Sequence, residues 1–169
     1  MQNYMPRIGL IVAQLNEALC LELVSVVRYT LHSHMCDLWG YPQLGTTLKL
    51  HARNEAKHAE ELMDRILLLK GEVCLQGMCP PAVSGTLRDQ LKDDVAFEAA
   101  LHSRYESACQ VCAIAGDEKS QALFARLARD QVKHQLFLEA YLATMNERCS
   151  EDCVKRQLHW FPKRVSVLQ

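Results

Sequence analysis

Carboxylate, amide and imidazole side chains occur in two sets with identical spacing. In each set, a glutamate precedes a short Glu-x-x-His or Gln-x-x-His segment by 33 residues, and the second set follows the first by 76 residues. The two sets are Glu22, Glu55 and His58, and Glu98, Gln131 and His134. A glutamate and a Glu-x-x-His segment from each half of a helical bundle can hold two metal ions in its core. The sequence therefore predicts a dinuclear metal site with one altered donor, Gln131.

The spacing within each set is compatible with metal binding from helices. Residues three positions apart share one helix face, so each of the two x-x-His segments can bind one ion. Glu22 lies on an apolar face between Leu19 and Leu23, where a carboxylate without a partner would be costly. We expect Glu22 and Glu98 to bridge the two ions from the other two helices.

Helical patterns cover most of the chain, because apolar residues recur every three or four positions between Gly and Pro interruptions. They predict helices at about 8–38, 46–70, 87–115 and 118–148, and a short fifth helix at about 151–160. The fold class predicted is an all-α antiparallel four-helix bundle, with a long crossover between the second and third helices. At 169 residues, we expect a single domain, residues 1–169.

The composition argues against several classes of partner. The formal net charge of -1 gives no electrostatic reason to expect binding to nucleic acid or to an anionic membrane. No secretory signal is visible, and the apolar run 10–13 is too short to span a bilayer. We therefore expect a cytoplasmic protein, in which the eight cysteines are free thiols or metal ligands rather than disulfides.

Several segments of the predicted helices resemble bacterioferritin, a family of the ferritin-like superfamily. They are Leu15–Leu19, Glu22–Val24, Tyr29, Trp39–Gly40, Lys57–Glu60 and Arg65–Gly71, within a resemblance that covers about residues 10–145. Bacterioferritins form hollow cages, oxidise Fe(II) at a dinuclear centre and store ferric mineral. The resemblance implies a dinuclear iron site, Fe(II) and dioxygen or peroxide as partners, and a homo-oligomeric or mixed-subunit cage, expected to be a 24-mer.

Gln131 departs from the family pattern, which has a glutamate at this position. A neutral amide leaves one positive charge of two Fe(II) ions uncompensated, and ferric iron prefers carboxylate oxygen. We predict weaker occupancy on the His134 side and slower iron oxidation. Asp130 cannot replace the lost donor, because it points about 100° away around the helix. The alternative is that the second metal position is lost and Gln131 forms hydrogen bonds within the core.

Two further positions bear on cofactor chemistry. The family ligates haem through a methionine directly after the first Glu-x-x-His glutamate, whereas this chain has Ala56, which has no donor atom. Haem is therefore not expected. The resemblance also implies that Tyr29 lies near the metals and can supply an electron. The alternative is a core tyrosine with a satisfied hydroxyl, and its repeat partner Tyr105 favours that role for at least one of the two.

The cysteines suggest another kind of site. The predicted topology brings Cys74, Cys79, Cys109 and Cys112 to one end of the bundle, where they could hold Zn(II) or an iron–sulfur centre. Cys36, Cys149 and Cys153 are expected at the other end. Three functions thus remain open: a ferroxidase and iron-storage subunit, a non-catalytic cage subunit that assembles with a complete partner, and a thiolate-metal protein on the same scaffold.

Overall fold

Four long helices form the part of the chain that the computed structural model describes, residues 4–79 and 86–146. They are α1 (Tyr4–Leu38), α2 (Pro42–Leu68), α3 (Leu87–Ala115) and α4 (Glu118–Asn146). No strand occurs within these two ranges. The four-helix bundle is confirmed, and the predicted fifth helix lies outside the described residues.

The helices pack as two hairpins joined by the long crossover. The largest interfaces are those of α1 with α2 and of α3 with α4, while α1 also packs along α3. Gly45 allows the close approach of α1 and α2, because a Cβ atom there would lie 2.9 Å from the carbonyl oxygen of Ser33. The two hairpins therefore enclose one long interior, to which each helix contributes one face.

The ends of the helices follow local chemistry, and two helices begin earlier than the sequence predicts: α1 begins at Tyr4 instead of about residue 8, and α2 also begins early. Helix α2 begins at Pro42 instead of about residue 46, because proline is well suited to the first positions of a helix. At the start of α3, the Thr86 side chain accepts a hydrogen bond from the backbone N–H of Asp89. Helix α3 ends at Ala115 and is capped by Gly116, whose φ of 77° suits glycine. At the start of α4, Asp117 Oδ1 accepts a hydrogen bond from the Ser120 backbone N–H.

Two apolar clusters fill the interior on either side of a polar layer. One cluster contains Leu15, Leu19, Leu62, Ile66, Leu101 and Phe124. The other contains Tyr29, Leu44, Leu48, Leu91, Leu138 and Tyr141. Between them lie fully buried carboxylate, amide and imidazole groups. This layer contains the residues that the sequence predicts to bind metal.

Helix α1 is apolar for most of its length. By length and composition its segment Arg7–Leu38 could cross a membrane, a test that the core helices of bundles also pass. Three of its polar side chains, Glu22, Arg28 and His32, are buried inside the bundle and form hydrogen bonds with α3. These contacts identify α1 as a core helix of the bundle.

Candidate metal centre

The six predicted site residues meet in the middle of the bundle. Helix α1 supplies Glu22, α2 supplies Glu55 and His58, α3 supplies Glu98, and α4 supplies Gln131 and His134. Each is at most 5% exposed. The helical repeat explains this convergence, because a Glu or Gln and a His three residues later project from the same face. All four helices thus contribute to one buried cluster.

The donor atoms form two groups that share one carboxylate. Glu22, Glu55 and His58 form the first group, and Glu55, Glu98 and His134 form the second, with one donor atom from each residue within 4.8 Å of the others in its group. The shared position belongs to Glu55, whereas the sequence analysis expected Glu22 and Glu98 to bridge. Glu22 and Glu98 each belong to one group only, so this arrangement favours Glu55 as the bridging carboxylate.

Two tyrosines hold the carboxyl groups of Glu22 and Glu98, which are called the outer carboxylates because each belongs to only one group. The Tyr105 hydroxyl donates to Glu22 Oε1 at 2.8 Å, and the Tyr29 hydroxyl donates to Glu98 Oε1. Each tyrosine therefore binds the glutamate of the other sequence repeat, and the two contacts are related by the internal two-fold pattern. One oxygen of each outer carboxylate is held by a tyrosine, and the other has no hydrogen-bond partner.

Gln131 extends towards the carboxylates of the first group. Its Nε2 donates to Glu22 Oε1 at 3.2 Å and lies 3.5 Å from Glu55 Oε2, while its Oε1 has no partner. The core hydrogen bonds considered in the sequence analysis are therefore present. The amide of Gln131 contacts Glu22 and the shared Glu55. These contacts give no reason to confine its effect on metal binding to the position beside His134.

The charges of the buried groups are strongly coupled. Burial and the negative charge of Glu55 raise the pKa values of Glu22 and Glu98 well above the ordinary range. Burial acts against protonation of His58, but contacts with Glu22 and Glu55 outweigh it and raise its pKa to about 10. Burial would raise the pKa of Glu55, yet its contacts with His134 and His58 lower it. The metal-free cluster therefore retains protons that a cation would displace.

Asp130 borders the centre on its outer side. Its Oδ2 lies 3.5 Å from His58 Nε2, while Lys133 Nζ lies 2.6 Å from its Oδ1 and Arg126 is 3.6 Å from Oδ2. A carboxylate behind a metal-binding histidine orients the ring. As predicted, Asp130 does not take the place of Gln131. It instead contacts His58 of the opposite hairpin, a contact that is absent from the sequence prediction.

A second buried polar group, absent from the sequence prediction, lies beside the centre. Asp94 binds Arg28 Nε at 2.6 Å through Oδ1 and His32 Nδ1 at 2.9 Å through Oδ2. The ring of His51 stacks on that of His134, with centroids 4.1 Å apart. A sequence signal existed, because Asp94 precedes Glu98 by four residues and His51 precedes Glu55 by four.

The cysteines of the described residues do not form a comparable donor cluster. Within 4–79 and 86–146, the groups of three or more candidate metal donors contain no cysteine. Cys112 is buried, Cys74 and Cys79 are exposed, and Cys20 Sγ lies 3.6 Å from the Cys74 carbonyl oxygen. Cys36 lies in the apolar cluster around Tyr29, while Cys149 and Cys153 lie outside the described residues. The geometry gives no support for the predicted Zn(II) or iron–sulfur site.

A bundle of this topology, with donors from four helices around two adjacent positions, has the architecture of the ferritin-like dinuclear metal proteins. Residues 12–147 match the family model described as Ferritin-like domain. A bacterioferritin of Mycolicibacterium paratuberculosis is 36% identical over 146 residues, which cover 84% of this chain and 92% of that protein. Bacterioferritin BfrA of Mycobacterium tuberculosis is 35% identical over the same coverage.

The structural comparison agrees with these sequence matches. The solved structure of Mycobacterium tuberculosis bacterioferritin, BfrA, has a TM-score of 0.81 and 32% sequence identity, and the match covers 88% of this chain and 92% of that chain. The chain therefore belongs to the ferritin-like family and, within it, to the bacterioferritins.

Proposed function

We propose that this protein is an iron-storage cage subunit that oxidises Fe(II) at the centre around Glu55 and stores the ferric product in the cage. The observation that carries the proposal is the pair of buried donor groups that share this carboxylate. We propose further that it acts in the cytoplasm as a single-domain subunit of an oligomeric cage, with 24 subunits as the expected number. Fe(II) and dioxygen or peroxide are the proposed substrates.

The donor set fits two iron ions. Oxygen atoms of Glu22, Glu98 and Gln131 are buried without a hydrogen-bond partner, as a site built for cations requires. In the proposed arrangement, the Glu22 and His58 side chains hold one ion and those of Glu98 and His134 hold the other. Glu55 would contribute to both positions, and Gln131 would supply a neutral amide. When bound, the iron ions supply the electrons that reduce the oxidant.

The side chains of this chain hold the reaction geometry. The hydroxyls of Tyr29 and Tyr105 keep Glu98 and Glu22 in place by donating to one oxygen of each carboxyl group. Asp130 orients His58 from the outside. Tyr29 is also the proposed catalytic residue, because its hydroxyl touches a ligand carboxylate and its ring is wholly buried near His134.

The amide at position 131 is proposed to weaken the centre. Three carboxylates compensate three of the four positive charges of two Fe(II) ions, which leaves one positive charge in a buried site. We expect looser binding of iron and slower oxidation than with a glutamate. Ala56 offers no donor atom, so haem has no place in the proposed mechanism.

A non-catalytic cage subunit is the second candidate function. It is favoured by the hydrogen bonds of Gln131 Nε2 to Glu22 and Glu55, which stabilise the centre without metal. Such a subunit would assemble with a partner that provides a complete centre. A thiolate-metal function is not proposed, because the described donor groups contain no cysteine.

Aerobic Fe(II) oxidation distinguishes the two functions. The purified protein receives two Fe(II) per subunit, beside Gln131→Glu and the inactive control Glu55→Ala, and ferric absorbance is followed by stopped flow. Oxidation by the wild type that exceeds the Glu55→Ala control, and that Gln131→Glu accelerates, supports the ferroxidase. A wild type no faster than Glu55→Ala would overturn the ferroxidase, and rescue by Gln131→Glu would then support the non-catalytic subunit.

A further inference from the structure

On one side of the metal centre, the bundle interior contains additional buried polar groups among its apolar residues, although the centre itself follows an internal two-fold repeat. Positions 76 residues apart correspond in that repeat. Asp94 corresponds to Ala18, His32 to Ala108 and His51 to Leu127. All six residues are buried within the bundle. One half of the core therefore carries polar groups that the symmetry of the site does not require.

Helix α3 carries a polar stripe away from the centre. Gln90, Asp94 and Glu98 follow one another at four-residue spacing, which places them on one helix face, and each is 0% exposed. The stripe leads from the metal centre to the first turn of α3. His32 joins it from α1 by binding Asp94 through Nδ1, which leaves His32 Nε2 without a partner.

Helices α2 and α4 contribute polar groups to the same end of the bundle. His51 stacks on His134, and neither of its ring nitrogens has a hydrogen-bond partner. Phe137 lies against the His51 ring, and Tyr141 lies one helical turn further along α4. The Tyr141 hydroxyl also has no partner, and it lies near Cys36 and Tyr41 at the α1–α2 connection.

Six side-chain atoms in this region are buried without a hydrogen-bond partner in the protein. They are His32 Nε2, both ring nitrogens of His51, both amide atoms of Gln90, whose amide group also lies beside the Cys36 thiol, and the Tyr141 hydroxyl oxygen. Buried polar groups are almost always hydrogen-bonded, and internal water usually supplies the missing partners. Such a concentration of unpaired donors and acceptors, reached from all four helices, indicates a binding region for water molecules.

We propose that these residues line a hydrated passage inside the bundle, in which ordered water molecules connect the metal centre with the α1–α2 end. Gln90, His32 and Tyr141 hold the water molecules, and His51 forms the boundary with His134. The metal centre is otherwise enclosed by protein, and the passage brings it into contact with water. This inference does not depend on iron oxidation, because water can occupy the passage in an inactive protein.

The direct test is a crystal structure of the purified metal-free protein at about 1.5 Å resolution, at which ordered water is readily located. The expected result is a row of water molecules hydrogen-bonded to Gln90, His32 Nε2 and the Tyr141 hydroxyl. Direct pairing of these side chains with one another, or a dry interior around them, would overturn the proposal. Neither result depends on whether the protein oxidises iron.

The substitution Gln90→Leu provides an independent test in solution. If water molecules satisfy Gln90, leucine removes their anchor and leaves other polar atoms unpaired, so the unfolding temperature falls by several degrees. If Gln90 is unsatisfied, leucine raises the unfolding temperature. The control is Leu91→Met, also fully buried on α3, for which a smaller change is expected. An unchanged or higher midpoint for Gln90→Leu contradicts the passage.

Discussion

Gln131 is a neutral side chain in contact with two carboxylates, and its effect can be measured without iron chemistry. In Gln131→Glu, a third carboxylate faces Glu22 and Glu55, so we predict a loss of about 1–3 kcal/mol in the stability of the metal-free protein at neutral pH. Added Co(II) should then raise the unfolding temperature of the variant by more than that of the wild type. Thermal unfolding with and without Co(II) measures both effects.

The matched control for this substitution is Gln110→Glu, which adds the same charge at an exposed position of α3. Its expected effect on stability is below about 0.5 kcal/mol, with or without Co(II). Equal Co(II)-dependent stabilisation of wild type and Gln131→Glu would contradict the electrostatic account of position 131.

Tyr29 and Tyr105 form a matched pair, because each hydroxyl donates to one outer glutamate. Removing either hydroxyl should cost about 0.5–1.5 kcal/mol, the usual range for a hydrogen bond between neutral groups, because both glutamates retain their protons in the metal-free protein. We predict that Tyr29→Phe also slows Fe(II) oxidation, whereas Tyr105→Phe affects stability alone. Denaturant unfolding and stopped-flow absorbance on both variants provide the comparison. If both substitutions changed the rate of Fe(II) oxidation equally, the proposed catalytic role of Tyr29 would be contradicted.

At the residue scale, the sequence predicted the six donors because their spacing is duplicated. It could not predict the shared position of Glu55, since which carboxylate lies between two sites depends on packing across helices. His51 and Asp94 were missed because their repeat partners are Leu127 and Ala18, so no duplication marked them. Their four-residue spacing from Glu55 and Glu98 was the available signal.

At the scale of the elements, close contact between α1 and α2 depends on a glycine. In Gly45→Ala, the new Cβ would lie 2.6 Å from Asp37 Oδ1 and 2.9 Å from a backbone oxygen, so we predict a loss of about 1–3 kcal/mol. Gly9→Ala is the control, because no atom lies within 4 Å of its Cβ position in α1. It should gain up to about 1 kcal/mol from helix propensity. Chemical denaturation measures both; a neutral Gly45→Ala would contradict the close packing.

The helices themselves were predictable from apolar periodicity and from Gly and Pro. Helix α3 has the predicted bounds, since Thr86 and Gly116 are strong end signals. Helix α2 begins before its predicted start, because Pro42, which interrupts a helical pattern, is also well suited to begin a helix. Sequence patterns mark where a helix can end, whereas packing decides which of several candidate positions is used.

At the scale of the whole molecule, stability should depend on pH through the buried centre. The pKa of His58 rises from 6.5 to about 10 on folding, so its contribution is full below pH 6.5 and is lost as the pH rises towards 10. Glu22 and Glu98 also have raised pKa values, and their contribution falls above pH 4.5. We predict that the metal-free protein becomes less stable between about pH 5 and pH 9.

Unfolding midpoints across this range measure the trend. The double variant Glu22→Gln, Glu98→Gln should give a flatter profile, because it lacks the two carboxyl groups that must lose protons as the pH rises. Bound metal should reverse the slope, since cation binding displaces protons and strengthens with pH. Increasing stability of the metal-free wild type from pH 5 to pH 9 would contradict the assigned pKa directions.

The most direct measurement of the central claim is an anomalous-diffraction map of crystals soaked anaerobically in Fe(II). The account predicts two iron peaks per subunit, one beside Glu22 and His58 and one beside Glu98 and His134, with Glu55 between them. Partial occupancy in the wild type would agree with the amide at position 131, and full occupancy of both positions in Gln131→Glu would strengthen that reading. The absence of iron from both positions in the wild type and in Gln131→Glu would contradict the account.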